Sequence, residues 1–258
     1  MTEPDDVLHV EHRDGADWLT LNRPTKHNAL DPALIDALCD HFTDVAERDD
    51  VRVIVLRGGG PSFCAGLDLA AHLASGGKGS ERIVDLIPQM RSCPQPVISL
   101  LHGAVKGGGF VMGLASDVRI AAMSARMDET FINIGLSGCD VGITFLLPRL
   151  VGLSVASELM LTGRSIDAAR AERLGLVAEV VADDELEAAG TKLAAELCSK
   201  SALGLRRTKE MLNRAFEFDD LAEVVRMELD IQLEVQRDDP AFRARLKSYG
   251  AGARGDAL

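Results

Sequence analysis

The sequence predicts an α/β fold that ends in a purely helical region. Three observations carry this expectation. The runs Val51 to Leu56 and Val97 to Leu101 are almost continuously apolar and rich in β-branched residues, as in strands buried on both faces of a sheet. Between them, apolar residues recur at helical spacing. From Asp183 to the end strand signals stop, while Leu193, Leu197, Leu203, Leu212, Leu221, Val225 and Leu233 continue a helical pattern.

Taken in order, the chain opens with two short strands, Val7 to Glu11 and Trp18 to Leu21, around the turn Asp14-Gly15, and then the tight segment Asn22-Arg23-Pro24. Asp31 followed by Pro32 reads as an N-cap with proline at the first helical position, and Leu34, Ile35, Leu38, Phe42 and Val45 give the helix an apolar face to about Arg48. The strand at Val51 to Leu56 leads into a loop from Gly58 to Leu69. Residues 71 to 80 are small and polar, and Glu81 to Arg91 is helical up to Cys93-Pro94. After Pro96 come a strand, a glycine turn, a helix from Phe110 to Ala115 and a strand from Val118 to Ala121. An irregular stretch from Met127 to Val141 is expected next, then helices near 143 to 150, 153 to 161 and 167 to 173, and a strand from Leu176 to Val181. The change to helix alone places a division between an α/β core, residues 1–195, and a helical region, residues 196–258.

Composition limits the function. A chain of 258 residues with 47% hydrophobic content builds its own core. With 28 Lys and Arg against 40 Asp and Glu, the net charge of -12 argues against nucleic acid or an anionic membrane as partner. The five cysteines include no CxxC pair, which argues against a zinc site or disulfide framework and fits a reducing cytoplasm. The start, MTEPDDVLHV, is acidic where a signal peptide is basic, and no apolar run has the length of a membrane span.

The stretch from Pro96 to Ala122 holds the clearest chemical signal. Gly103, Gly107, Gly108 and Gly109 let the backbone turn sharply and approach a ligand, and the helix behind them leaves its first N–H groups without intrahelical partners. Such groups suit a phosphate or a developing oxyanion, and the glycine run alone does not choose between them.

Four motifs in order, LNRPTKHNAL (Leu21 to Leu30), SFCAGLDL (Ser62 to Leu69), HGAVKGGGF (His102 to Phe110) and LLPRLVG (Leu146 to Gly152), resemble the crotonase, or enoyl-CoA hydratase/isomerase, family. The resemblance spans about Val7 to Tyr249. It implies a spiral of ββα units whose C-terminal helices build trimers, often paired into hexamers. It also implies a coenzyme A thioester as substrate, with no cofactor or metal beside it. The N–H groups of Leu67 and Gly108 become the expected oxyanion hole. Ala65, Gly66, Asp68, Leu69, Gly107, Val111 and Phe131 become the expected substrate contacts, with Arg23 and Lys26 near the coenzyme A phosphates.

The sequence departs from the hydratase pattern at two points. Hydratases that it resembles work on water with two glutamates, and those positions read Val111 and Phe131 here. Neither transfers a proton. Glu129 lies close in sequence but is expected to point elsewhere. Asp140, in GLSGCDVG, falls where the family's dienoyl-CoA isomerases, naphthoyl-CoA synthases and aryl-CoA dehalogenases carry a functional aspartate, and it is the expected acid/base. The expected activity is therefore that of a hydratase/isomerase-like lyase or isomerase, the alternatives being an aspartate-dependent relative such as a dienoyl-CoA isomerase, or a noncatalytic acyl-CoA binder.

Other readings weigh less. The spacing Gly103-x-x-x-Gly107-x-Gly109 also fits a nicotinamide enzyme, but that motif belongs at the first strand and needs a Tyr-x-x-x-Lys pair, whereas the sole tyrosine is Tyr249. Gly76-Gly77-Lys78-Gly79-Ser80 lacks the spacing and preceding strand of a P-loop. Cys64 reads as a packing residue, and His72 and His102 as solvated or structurally bonded side chains.

Overall fold

The computed structural model of the protein describes residues 6–74 and 82–252. Strands β1 (Leu8–Arg13) and β2 (Ala16–Leu21) form the expected hairpin, with Arg13 opposite Ala16. Asp14 and Gly15 at its tip both have positive φ, 53° and 79°, the turn whose twist matches paired strands. Asp31 caps helix α1 (Pro32–Ala46) by accepting the N–H of Leu34 at 2.9 Å. Strand β3 (Val53–Gly58), helices α2 (Leu69–Ala74) and α3 (Ile83–Ser92), strands β4 (Val97–Leu101) and β5 (Ala104–Lys106), helix α4 (Gly108–Ala115) and strand β6 (Val118–Ala122) follow. The P-loop-like stretch Gly76 to Ser80 lies outside the described residues.

The chain continues through β7 (Arg126–Asp128), helices α5 (Ile143–Val151) and α6 (Leu153–Thr162), β8 (Ile166–Asp167), α7 (Ala168–Arg173) and β9 (Glu179–Val181), and then helices α8 (Leu186–Cys198), α9 (Ala202–Arg214), α10 (Leu221–Asp238) and α11 (Pro240–Gly252). A six-stranded sheet runs in the order β1-β2-β3-β4-β6-β9, parallel throughout except for the first pair. A second, three-stranded sheet joins β5, β7 and β8.

Alternation along each central strand sends side chains to opposite faces. Ile54, Leu56, Val97 and Leu101 meet α1, α3 and α4 on one face. Val53, Val55, Ile98 and Leu100 meet Leu186 and Ala194 of α8 on the other. Both faces of the sheet are thereby covered, which is why its central strands read as nearly unbroken apolar runs. Helix α8 spans residue 195, the point at which the sequence pattern changes. Beyond it, α9 is fastened to the core by Lys209, 4% exposed, whose ammonium donates to the carbonyls of Met90 and Gln95 and pairs with Asp117 at 2.9 Å.

The small second sheet departs from the expected irregular stretch. Its strands are two or three residues long, too short to display a period of two, and Met127 pairs with Val105 and Ile166 inside a region without sequence pattern. The last strand of the large sheet is also shorter than expected and begins at Glu179.

Candidate active site

The segment from Ser62 to Asp68 is gripped from two sides. On one side Cys64 donates to the Ala104 carbonyl and accepts from Lys106. On the other, Leu30 donates to the Gly66 carbonyl at 2.7 Å and accepts from Asp68 at 2.9 Å. In a parallel pairing, consecutive N–H groups point to opposite sides, so the N–H of Leu67 is turned away from Leu30. Among the described residues it donates to no backbone carbonyl.

The glycine turn supplies a matching donor. Gly107, at φ 49°, uses its own N–H on the Asp128 carbonyl and starts α4. The first backbone bond inside α4 is that of Val111 to Gly107, which leaves the N–H of Gly108 free at the helix start. Two tight approaches and one ordinary contact bring the two segments together. A Cβ on Gly109 would stand 2.6 Å from the Cβ of Cys64, one on Gly66 would stand 2.8 Å from the Lys106 oxygen, and the same atom on Gly66 would stand 3.5 Å from the Gly108 nitrogen. Gly66 itself has φ 91°, where an L side chain is strained. The N–H groups of Leu67 and Gly108 therefore come from adjoining backbone, the arrangement that a two-donor oxyanion hole requires.

Apolar side chains surround this point. A Cβ on Gly108 would lie 3.1 Å from Leu30 and 3.7 Å from Ile83, and one on Gly142 would lie 3.7 Å from Ile87. Ile83 and Ile87 sit one turn apart on α3, so a single helical step, about 5–6 Å between Cβ atoms, connects the start of α4 with the loop carrying Asp140. The ring of Phe131 lies 3.5 Å from the Cβ position of Gly107. Val111 is 1% exposed, packed in the core as the third residue after Gly108.

Asp140 is half-buried, and burial raises its carboxyl above the ordinary range while the N–H of Val141 works in the opposite direction. Helix α5 takes Gly142 as its N-cap with no side-chain cap bond, so Asp140 does not serve as that cap. The next residue, Val141, has φ 37°, a genuine outlier for a β-branched side chain, and such strain concentrates at functional loops. Glu129 is buried, 1% exposed, accepting the N–H of Phe131 at 2.9 Å and that of Ile132 at 3.4 Å.

The structure engages Arg23 internally. Its guanidinium pairs with Asp31 and Asp68, both at 3.1 Å, and donates to the Ala29 carbonyl, so it braces the loop where a contact to coenzyme A phosphates was expected. Lys26 is exposed beside it. Asp68 is held below the usual carboxylate range first by the N–H of Ala71 and then by Arg23 and Lys26. Leu69 opens α2, largely exposed, and Ala65 donates to the His27 carbonyl at 2.9 Å. Burial pushes the Cys64 thiol up to about 12, which leaves it protonated and suits packing. His102 bonds the Gly60 carbonyl at 3.0 Å, a structural role. Among the described residues no group of His, Cys, Asp and Glu side chains is placed to hold a metal ion, and no helix is long and apolar enough to cross a membrane.

Sequence reasoning passed over Asn28, Ile87 and Val141. Asn28 is fully buried at φ 56°, accepts the N–H of Arg23 and donates to the carbonyls of Gly59 and Ser62, binding the first motif to the second. The polar residue inside HNAL was its only signal. Positive φ at Val141 has no sequence signal, because β-branched residues disfavour it.

Known proteins resemble this chain in sequence and in fold. The enoyl-CoA hydratase/isomerase family profile matches residues 11–248. The Mycobacterium tuberculosis protein named "Probable enoyl-CoA hydratase EchA12" is 36% identical over 221 residues, covering 80% of this chain and 76% of that protein. The 1,2-epoxyphenylacetyl-CoA isomerase of Escherichia coli is 32% identical over 254 residues, covering 95% and 92%. Among solved structures, an enoyl-CoA hydratase from Bacillus anthracis superposes with a TM-score of 0.88 at 30% identity, covering 96% of both chains. A monofunctional enoyl-CoA isomerase from Mycobacterium smegmatis gives 0.75 at 34% identity, covering 85% of this chain and 98% of its own. The crotonase-type fold and the ordered motifs thus have one reading: the chain is a hydratase/isomerase-like enzyme and belongs to the enoyl-CoA hydratase/isomerase family.

Proposed function

We propose that the protein isomerises acyl-CoA thioesters through an enolate, with Asp140 as the group that moves the proton. The observation that supports this most is which side chains stand around the start of α4 and in the loop before α5. Val111 and Phe131 stand where the hydratases it resembles carry glutamates, and Asp140, whose carboxyl burial raises, remains as the acid/base candidate.

In this reading the thioester oxygen accepts from the N–H groups of Leu67 and Gly108. Carboxylate Asp140 removes a proton from carbon beside or conjugated to the thioester, and negative charge moves onto the oxygen between the two donors. Asp140 then returns the proton at the other end of the delocalised system. One carboxyl suffices, because the base of the first half-reaction is the acid of the second. Hydration instead needs an activated water and a proton delivered to carbon, the work of two groups. Coenzyme A enters as part of the substrate, with exposed Lys26 as the cation for its phosphates and Ala65, Gly66, Asp68, Leu69 and Gly107 framing the thioester. The helices beyond residue 196 serve assembly into a trimer or hexamer.

A panel of crotonyl-, 3-enoyl-, dienoyl- and aryl-CoA thioesters tests the reading. Double-bond migration in at least one 3-enoyl or dienoyl member, without water addition, is the expected result. Binding of every member without turnover, or hydration of crotonyl-CoA as the main reaction, would sink it.

A further inference from the structure

Glu129 is the most deeply buried carboxyl near the cleft, and the proposed reaction does not use it. Its two oxygens hold the N–H groups of Phe131 and Ile132, the start of the turn that lays the Phe131 ring against Gly107. Its Oε2 also lies 3.4 Å from where a Cβ on Gly138 would stand, and Gly138 is two residues before Asp140. Gly138 is itself close-packed on the Met160 carbonyl, 2.5 Å from that Cβ position, so a side chain there has no room.

We propose that Glu129 is a positioning residue for Asp140 and Phe131, a buried carboxyl wedged between the turn that carries the ring and the loop that carries the base. The inference rests on Asp140 being that base. One side chain then bears on both elements: the turn that lays the ring beside Gly107 and the loop that carries Asp140. The charged groups acting on Glu129 are Asp140 and Asp128, and Lys106 pairs with Asp128 at 3.1 Å. Burial is the largest influence raising the Glu129 carboxyl above its ordinary range, and the negative charge of Asp140 acts in the same direction, against the two N–H groups that Glu129 accepts.

Glu129→Gln tests this, since the amide keeps the size and one acceptor and removes the titrating group. On the thioester that the wild type turns over, kcat is expected to fall about tenfold with KM nearly unchanged, the size of a small misplacement of a catalytic group. The acid limb of kcat/KM should also simplify from two ionisations to one. Full kcat with both ionisations retained would overturn the proposal. Should the variant not fold, carboxyl NMR titration of the wild type decides: two-step curves shared by Glu129 and Asp140 support the pairing, and two independent single steps overturn it. That titration needs no turnover. It separates failure of this inference from failure of Asp140 as the base, which Asp140→Asn reports.

Discussion

Gly66 and Gly108 meet backbone to backbone: a Cβ on Gly66 would stand 3.5 Å from the Gly108 nitrogen and 2.8 Å from the Lys106 oxygen. The two glycines do different jobs. Gly66 holds positive φ, 91°, while Gly108 lies in ordinary helical backbone, with only the flexible end of Leu30 near its Cβ position, at 3.1 Å. Gly66→Ala should therefore lose stability by about 1–3 kcal/mol from backbone strain, read by denaturant unfolding. Gly108→Ala should fold nearly as well as wild type, since the flexible end of Leu30 can give way. Gly108→Val should lower acyl-CoA binding and turnover together. Full turnover in Gly108→Val would remove the Gly108 N–H from the reaction.

Asp140→Asn separates a proton carrier from a turn residue. The amide preserves shape and accepts the Val141 N–H but cannot exchange a proton. A loss of roughly a hundredfold or more in kcat is expected, with melting temperature and acyl-CoA affinity near wild type. Because burial raises the Asp140 carboxyl, the acid limb of kcat/KM in the wild type should lie above the ordinary aspartate range, with activity falling as the pH drops through it. Unchanged turnover in the variant would leave Asp140 as a structural residue.

How much of this was legible before the structure follows from segment length and backbone geometry. The long elements, from the hairpin at Asp14-Gly15 to β4 and the C-terminal helices, carry enough residues for a period to show. The free N–H of Gly108 follows from a glycine-led helix start, a local feature, whereas that of Leu67 depends on the bridge to Leu30, 37 positions away, and was suggested by the motif resemblance. Strands β5, β7 and β8 were not legible, since pairing across the chain defines them. The ion pairs of Arg23 were hidden for a related reason: its partners Asp31 and Asp68 lie 8 and 45 positions away, and only the folded loop brings them to 3.1 Å. The strain at Val141 is imposed by its surroundings against the residue's own preference.

Burial of Glu129 should show in stability as well as in rate. Its folded-state carboxyl is raised, so its contribution to stability is fully present below the ordinary glutamate range and is lost as pH rises through the raised value. Glu129→Gln has no charge to bury. Its melting temperature relative to wild type should therefore climb as pH rises from about 4 toward 8, whatever constant offset the lost acceptor causes. A difference independent of pH in thermal melts would show that Glu129 ionises as freely in the folded protein as in the unfolded chain.

Helix α10 makes the case for assembly. Leu221, Val225, Leu229 and Leu233 recur every four residues, which places them on one face, and they are 75%, 52%, 57% and 52% exposed. No residue of α10 is buried in the single chain. A stripe of this length is more apolar surface than a lone soluble chain ordinarily leaves to water, and covering it with other copies of the chain fits the role of C-terminal helices that the family resemblance implies. Light scattering at micromolar concentration should give a trimer or hexamer. Leu229→Glu, which sets a charge in the middle of the stripe, should shift the population to smaller species while the secondary structure persists in circular dichroism. A monomeric wild type, or a Leu229→Glu protein that assembles as before, would show that α10 does not form the interface.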